Sequence, residues 1–460
     1  MTIQAPNPVD LFTDIVGGDN VLVGEAVKDD YGHDEVLTED PVRPLAVIRP
    51  STTEEVAGLL RVADEHRIPV TSRGAGTGMS GACIPQADGI VVAFERMNRV
   101  LEIDEDNFVA VVQPGVQLDQ LDAELAPRRL IYPVFPGEYS ASLGGNVNTN
   151  AGGMRAVKYG VTRHQVLGLE TVLPSGDVIN SGGKVVKISS GYDLTQLIVG
   201  SEGTLGLVTK AYLKLYPRPE HSATVLAPFG SITEVTTAVP KVVGSGVGPL
   251  ILEYIDMLTM VAATQHVGLD LGIPEEVKTK AMAYLVVALE NAHSDRLEQD
   301  TQTVCELLSG LGALDVYVLP SGAAAQLIEA REKAFWVAKA AGADDIIDVV
   351  VPRAAIAAFM ERVAEIAQDK GAWISGCGHA GDGNVHMAVF QKDPVARHAL
   401  MTELFRVGID LGGAISGEHG LGVAKKAYFL ELEDPAKIAL MRRIKTAFDP
   451  NGILNPPVSL

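Results

Sequence analysis

Two histidines flank an Asp-Gly pair in residues 376–390, GCGHAGDGNVHMAVF. Asp-Gly is a strong signal for a two-residue β-hairpin turn. If Asp382 and Gly383 are the turn residues, His379 falls directly opposite His386 on the same side of the hairpin. Opposed residues lie ~5 Å apart at Cβ, which suits two imidazoles on one cation. The pattern predicts a metal site between two strands, although two strand histidines beside a Gly-rich turn would give the same pattern.

A second segment, SGEHGLG at residues 416–422, offers a carboxylate at Glu418 and another histidine at His419. Two histidines and one carboxylate leave coordination positions of a divalent cation open. Such a site can bind a substrate directly, so His379, His386 and Glu418 are candidate metal ligands.

Composition limits the partners of the chain. Its 460 residues are enough for about three units of ordinary domain size or for a large two-domain enzyme. The formal net charge of −21 opposes nucleic acid and anionic membranes as partners. An anionic substrate would therefore need a local cationic pocket.

Cysteine usage and targeting signals favour a reducing, cytoplasmic location. Cys83, Cys305 and Cys377 are far apart in sequence, so a disulfide framework or a cysteine-bound metal is not expected. The first twelve residues lack the pattern of a secretory signal. The longest apolar run, residues 281–289, is too short to span a bilayer, so no transmembrane segment is expected.

The alternation of strand and helix patterns indicates an α+β protein. In the first half, short strands surround long Gly-rich segments, and the prolines of YPRP at residues 216–219 indicate a domain boundary. Beyond them, strands alternate with longer helices, which predicts a sheet covered by helices on one face. We expect domains at residues 1–219 and 220–410, followed by a helical C-terminal cap at 411–460.

The glycine loop at residues 73–85, RGAGTGMSGACIP, contains a formal GxGxxG at Gly76, Gly78 and Gly81. A Rossmann fingerprint requires a long helix that opens at the last glycine. Pro85 follows four residues later and a strand begins by Ile90, so no room is left for that helix. A glycine loop can still direct its backbone N–H groups at a diphosphate.

Two further segments are rich in small residues, at 136–153 and 200–209. Each could be an ordinary tight turn. Together with the glycine loop they would let the backbone approach a large flat ligand closely, which favours a cofactor site in the first half of the chain.

These segments resemble the FAD-linked oxidoreductases of the vanillyl-alcohol oxidase superfamily, in the branch of D-2-hydroxyacid dehydrogenases that contains D-lactate dehydrogenases, D-2-hydroxyglutarate dehydrogenase and the glycolate oxidase flavin subunit. The resemblance covers about residues 44–456. It implies a PCMH-type FAD-binding domain followed by an FAD-linked oxidase C-terminal domain, in which a ferredoxin-like sheet carries helices and a helical cap.

The resemblance also implies the cofactor site. In this family the three small-residue segments receive the FAD diphosphate, the ribityl chain and the flavin edge, and a closing segment near the C-terminus returns toward the flavin. The positions that match are Arg73, Gly74, Ala75, Gly76, Thr77, Gly78, Pro136, Gly137, Ser142, Gly144, Gly145, Asn150, Gly152, Gly153, Glu202, Gly203, Leu205 and Asn455. The diphosphate loop contains no histidine for covalent attachment, so noncovalent FAD is expected.

By the same resemblance, His379, His386 and Glu418 hold a divalent metal, with zinc favoured over manganese and iron. His419 resembles the general base, and Arg331 resembles the arginine that binds the substrate carboxylate. Without the resemblance, Arg331 would be interpreted as a solvated helix residue paired with Glu329 or Glu332, and His419 as a capping or core histidine.

The implied reaction is oxidation of a D-2-hydroxy acid to the 2-oxo acid. Dicarboxylate-oxidising relatives have a lysine at the position of Ile346 and an asparagine at that of Ala388, so the resemblance favours a D-lactate- or glycolate-like monocarboxylate over 2-hydroxyglutarate. No cysteine cluster is present for iron and sulfur, so electrons must leave to a separate protein, quinone or other acceptor.

Three other interpretations remain open at this stage. The chain could be a flavin-binding subunit of a larger redox complex. As for its assembly, it could form a homodimer or join such a complex. It could be a redox-neutral enzyme similar to alkyl-glycerone-phosphate synthase, for which an acyl tunnel would be expected. A hydrolase that uses only the metal would leave the glycine segments unexplained.

Overall fold

The computed structural model describes residues 8–460, so most of the N-terminal stretch that lacks a signal-peptide pattern lies outside the described residues. The strands are β1 Val21–Val23, β2 Ala46–Ile48, β3 Val70–Arg73, β4 Ile90–Ala93, β5 Val100–Asp104, β6 Val109–Val112, β7 Leu130–Ile131, β8 Val166–Val172, β9 Val178–Gly182, β10 Leu207–Lys214, β11 Tyr216–Pro217, β12 His221–Phe229, β13 Ile251–Asp256, β14 Ala283–Asn291, β15 Tyr317–Leu319, β16 Asp345–Val350, β17 Trp373–His379 and β18 Asn384–Phe390.

The α-helices are α1 Pro8–Val16, α2 Thr53–His66, α3 Leu118–Leu125, α4 Leu143–Thr149, α5 Ala156–Tyr159, α6 Leu194–Ile198, α7 Ile232–Gly244, α8 Met257–Val267, α9 Glu275–Lys278, α10 Ser294–Gly310, α11 Ser321–Glu332, α12 Ala334–Ala340, α13 Ile356–Asp369, α14 Pro394–Asp410, α15 Lys426–Leu432 and α16 Pro435–Phe448. Within residues 8–460, no helix combines the length and apolarity that crossing a membrane requires.

The N-terminal half is built on two sheets, one of four strands in the order β1-β2-β4-β3 and one of five in the order β5-β6-β10-β8-β9. β3 and β4 are parallel neighbours. No α-helix lies in the connection between them, residues 74–89, which contains the glycine loop. The exclusion of a Rossmann crossover is therefore confirmed.

The C-terminal half contains a seven-stranded antiparallel sheet with the order β15-β12-β14-β13-β17-β18-β16. Successive residues of β14 enter different cores. Leu285 and Val287 pack with α7, α10, α13 and α14, whereas Tyr284 and Val286 pack with α8 and α11. The prediction that helices cover one face is wrong, because the central strands are apolar on both sides and both sides must be covered.

After α16, the chain returns to the N-terminal half. Leu454 pairs with Val70 of β3, and Asn455 N donates to the Val70 carbonyl at 2.8 Å. Ile453 and Leu454 are buried in the same core as α2. The last residues of the predicted cap thus complete the first sheet and hold the two halves together.

Candidate active site

The hairpin β17–β18 has a four-residue turn, so the predicted two-residue turn is wrong. His379 pairs with Asn384, and Cys377 pairs with His386. The backbone N–H groups of Asp382 and Gly383 both donate to the His379 carbonyl at 3.1 Å, which closes the wider turn. Because side chains alternate along a strand, this register still leaves both histidines on one face, as diagonal neighbours. Their ring centroids are 4.8 Å apart.

Glu418 brings the two histidines together at one point. Its Oε1 lies 3.0 Å from His379 Nε2 and 3.1 Å from His386 Nε2. His386 Nε2 is buried and makes no hydrogen bond to the described residues. Two imidazole nitrogens and a carboxylate oxygen form a donor set that suits zinc and similar divalent cations, so these residues fit such a metal.

Glu253, on β13, is a site residue that the sequence interpretation missed. Its Oε1 lies 2.6 Å from His379 Nδ1, and its Oε2 lies 2.7 Å from Arg331 Nη2. A hydrogen bond from Nδ1 to a carboxylate leaves Nε2 free to bind a metal. Burial disfavours charge on His379, but Glu253 and Glu418 raise its pKa well above the ordinary value. A divalent cation beside Nε2 would replace that proton.

Asp348, on β16, is a second residue that was missed, and it positions the loop that carries Glu418 and His419. Its Oδ2 accepts hydrogen bonds from Gly417 N at 3.2 Å, His419 N at 2.9 Å and Lys425 Nζ at 3.3 Å. Burial disfavours its charge, but His419, Lys425 and His386 hold the pKa of Asp348 well below its usual range.

His419 lies beside this cluster, with its ring centroid 4.9 Å from that of His386. Its side chain is almost fully buried, and burial lowers its pKa to about 4. The imidazole is therefore neutral near pH 7 and is able to accept a proton, as a general base must.

Arg331 does not make the surface ion pairs that its sequence neighbours suggest. Its partner is Glu253, whereas Glu329 pairs with Lys333. The Arg331 side chain is 10% exposed. Its Nη2 is engaged by Glu253, but its buried Nε has no hydrogen-bond acceptor among the described residues, so the guanidinium retains a donor for an anion.

Ser142 joins the glycine loop to α4. Its Oγ accepts hydrogen bonds from Ala75 N at 3.2 Å and from Gly145 N, at the start of the helix, at 3.3 Å. A Cβ atom on Gly74 would lie 2.0 Å from that oxygen, so only glycine fits there. The predicted cofactor segments are thus held side by side.

Ten of the predicted cofactor residues line one cleft of about 150 Å³, together with Glu418 and His419. Asn146 also lines it, and the buried Nδ2 of Asn146 has no hydrogen-bond partner among residues 8–460. A cleft with glycine walls and an unpartnered amide fits a large polar cofactor. The ten residues are Gly74, Ala75, Gly76, Thr77, Gly78, Pro136, Gly137, Ser142, Gly145 and Gly152.

The remaining eight predicted cofactor residues lie around this cleft. Arg73, Gly144 and Glu202 border a small cavity behind the glycine loop, Asn150 and Leu205 line another cavity beside Glu202, and Gly153 lines the neighbouring cavity described below. Gly203 packs against Ser72. Asn455 is buried and donates to the carbonyls of Ala82 and Glu202 at 3.0 and 2.8 Å, so it joins two cofactor segments.

A second cavity, of about 200 Å³, adjoins this cleft and contains the chemistry-bearing side chains at one end. These are Arg331, His379, His386, Glu418 and His419. Ile346 and Ala388, the two positions on which the expected choice of substrate depends, both line its wall and pair across β16 and β18.

Comparison with known families assigns the class. Residues 44–182 match the model of an FAD binding domain, and residues 218–458 match that of the FAD linked oxidases, C-terminal domain. The chain belongs to this family of FAD-linked oxidoreductases, within the superfamily predicted from the sequence. The predicted fold class, a PCMH-type FAD-binding domain followed by an FAD-linked oxidase C-terminal domain, is confirmed.

The relatives cover nearly the whole chain. An uncharacterized FAD-linked oxidoreductase of Mycobacterium tuberculosis is 58% identical over 97% of both chains. Glycolate oxidase subunit GlcD of Bacillus subtilis is 39% identical, over 90% of this chain and 88% of its own. A D-lactate dehydrogenase of Archaeoglobus fulgidus is 37% identical, over 93% and 95%.

Solved structures with low sequence identity share the fold. p-Cresol methylhydroxylase has a TM-score of 0.81 at 19% identity, over 98% of this chain and 96% of its own. Alkyldihydroxyacetonephosphate synthase has a TM-score of 0.73 at 19% identity, over 98% and 85%. Because a hydroxylase and a synthase share it, the fold alone does not decide the reaction.

Proposed function

We propose that this protein oxidises a D-2-hydroxy monocarboxylate to the 2-oxo acid and passes the electrons to a separate acceptor. The observation that carries the proposal is the convergence of Glu418, His379, His386, His419 and Arg331 at one end of a cavity that adjoins the cofactor cleft. The D configuration rests on the family resemblance.

FAD, when bound, supplies the two-electron acceptor for the oxidation. The residues that would hold it are the ten that line the cleft, and none of residues 74–81 is a histidine. The flavin is therefore noncovalent, and acid precipitation should release it into the supernatant. Yellow colour that stays with the precipitated chain would contradict this.

The metal, when bound, acts as a Lewis acid that lowers the pKa of the substrate hydroxyl. His379, His386 and Glu418 would hold it through two nitrogens and one oxygen. This donor set favours zinc over the harder cations that prefer oxygen ligands.

The side chains around the cavity account for the protons and the charge. Oxidation removes a proton from the hydroxyl oxygen and a hydride equivalent, one proton with two electrons, from the carbon; FAD would be the acceptor of the hydride equivalent. The neutral His419 would take the hydroxyl proton at the ring nitrogen that faces away from Asp348. Arg331 would bind the carboxylate through its Nε–H group, which has no acceptor among the described residues.

The cavity favours a monocarboxylate. Arg331 is the only lysine or arginine among the described residues that line it, so a second carboxylate would have no cationic partner. At the positions where dicarboxylate-oxidising relatives differ, the wall consists of Ile346 and Ala388. Burying an unpaired carboxylate against these residues would cost several kcal/mol.

Anaerobic bleaching of the bound flavin tests the proposal. D-lactate or a larger D-2-hydroxy monocarboxylate should reduce the flavin faster than its L enantiomer and faster than D-2-hydroxyglutarate. Faster reduction by D-2-hydroxyglutarate would show that the roles of Ile346 and Ala388 are misassigned. If no 2-hydroxy acid reduced the flavin, the protein would instead be a redox-neutral enzyme or a flavin-binding subunit.

A further inference from the structure

The 200 Å³ cavity extends from the candidate metal cluster along one face of the C-terminal sheet. Three alternating residues of β18 line it, and they change from polar to apolar in the order His386, Ala388, Phe390. Four residues of β-strand span ~13 Å. The cavity is therefore much longer than the two or three carbons of glycolate or lactate.

Neighbouring strands continue this apolar floor. Ile346 of β16 lies beside Ala388, and Trp373 of β17 pairs with Phe390, with their rings stacked at a centroid distance of 4.8 Å. Trp373 is 53% exposed, so it marks the outer, solvent end of the cavity.

The opposite wall is formed by two helices that present small or aliphatic side chains. From α8 these include Leu258 and Ala262, and from α12 they include Ala334, Val337 and Ala338. Residues 334, 337 and 338 share one face of α12 because of the helical repeat. The alanines at these positions leave open the space that larger side chains would fill.

We propose that the substrate is a D-2-hydroxy acid with a substituent of about six carbons at C2, aliphatic or aromatic. A cavity of ~150 Å³ lined by apolar side chains accepts benzene, and this one is about 200 Å³. The methyl group of lactate would leave most of it unfilled. This inference rests on the proposed function and adds the size and polarity of the substrate.

A series of D-2-hydroxy acids of increasing length tests the inference on the FAD-loaded enzyme. The second-order rate constant for flavin reduction should rise about 4-fold per methylene from D-lactate to D-2-hydroxyoctanoate, which carries a six-carbon substituent at C2. D-3-phenyllactate should also exceed D-lactate. Equal or falling rate constants would overturn the inference and leave the proposed function intact, whereas no reduction by any member would overturn the proposed function itself.

A substitution that fills the cavity tests whether the preference for larger substrates depends on the cavity or only on the hydrophobicity of the substrate. Ala338→Phe should lower the ratio of the phenyllactate to the lactate rate constant by at least 10-fold. Ala340→Phe is the matched control, since Ala340 is exposed on the same helix, and it should leave the ratio unchanged. A wild-type ratio in the Ala338 variant would overturn the inference. Ala262→Leu gives the same test from α8 if Ala338→Phe does not fold with bound flavin.

Discussion

At the scale of single residues, the candidate site is a chain of buried groups of alternating charge. Arg331 contacts Glu253, Glu253 contacts His379, and His379 contacts Glu418. Removing one member of such a chain leaves a buried charge without compensation, which costs more than the pair itself contributes. Each of these residues should therefore affect its neighbours as well as the ligand that it binds.

Replacing a histidine of the cluster should separate metal binding from flavin binding. His379→Ala or His386→Ala should lose the metal and retain the flavin, because the cofactor cleft is formed mainly by the N-terminal half. Reduction by substrate should fall by at least 10²-fold, since the hydroxyl is no longer acidified. Metal analysis, absorbance and anaerobic reduction rates check this. His293→Ala, an exposed position, is the control, and full metal content in the His379 variant would exclude the site.

Glu253→Gln should weaken metal binding without abolishing it. The amide can no longer hold His379 as a carboxylate does, and loss of such a partner lowers metal affinity by ~10–100-fold. Competition with a chelator measures the change. Glu290→Gln is a matched control, because Glu290 is a strand carboxylate whose partner is Lys158. Equal metal affinity in both variants would show that Glu253 has only a structural role.

At the scale of elements, the sequence predicted that His379 and His386 converge but not how they do so. Both a two-residue and a four-residue turn leave the two histidines on one face, so the pattern cannot distinguish them. The wider turn brings Gly383 into the left-handed region, at φ +93°, where a Cβ atom would lie 2.0 Å from the Val351 carbonyl. That contact, with the residue that directly follows β16, is tertiary and leaves no local signal.

Glu253 and Asp348 were missed for a related reason. They lie on β13 and β16, far in sequence from the histidines, and no spacing rule connects them. A single carboxylate within an apolar strand, as in ILEYI and IIDVV, is the signal that could have identified them, since such a charge must be paired. The apolar run at residues 281–289 is the signal that could have identified a strand buried on both faces.

Gly383→Ala should disturb the hairpin more than a substitution at an unconstrained glycine. Its Cβ atom must displace the Val351 backbone, and overpacking of this kind costs ~1–3 kcal/mol. Gly371 also has a positive φ, +62°, but no atom lies within 4 Å of the Cβ that Gly371→Ala would add, so this variant is the control. Urea unfolding gives the difference in stability, and metal content should fall only in the Gly383 variant. Equal stabilities of the two variants would argue against the close contact between Gly383 and the Val351 carbonyl.

At the scale of the whole molecule, Glu202 connects the cofactor half to the loop that carries the candidate ligand and base. Its Oε1 accepts a hydrogen bond from Gly422 N at 3.0 Å, and its carbonyl accepts one from Asn455. The two halves would bind different ligands, FAD and the metal, but these hydrogen bonds of Glu202 support both sites.

The same residue predicts a pH dependence of stability. Burial raises the pKa of Glu202 to about 7, above the ordinary value of 4.5. For an acid whose pKa is raised on folding, the contribution to stability is complete below pH ~4.5 and is lost as pH rises through ~7. Between pH 5 and 8 the wild type should lose up to about 3 kcal/mol relative to Glu202→Gln. Melting curves of both proteins across this range check it, and parallel profiles would contradict the prediction.

The pairing of Leu454 with β3 also affects when the first sheet can finish folding during synthesis of the chain. β3 is an edge strand of the first sheet, and an unpaired edge invites contact with other chains. During synthesis, β3 leaves the ribosome long before the segment that covers it. The first sheet therefore gains this last pairing only after nearly all of the chain has been made.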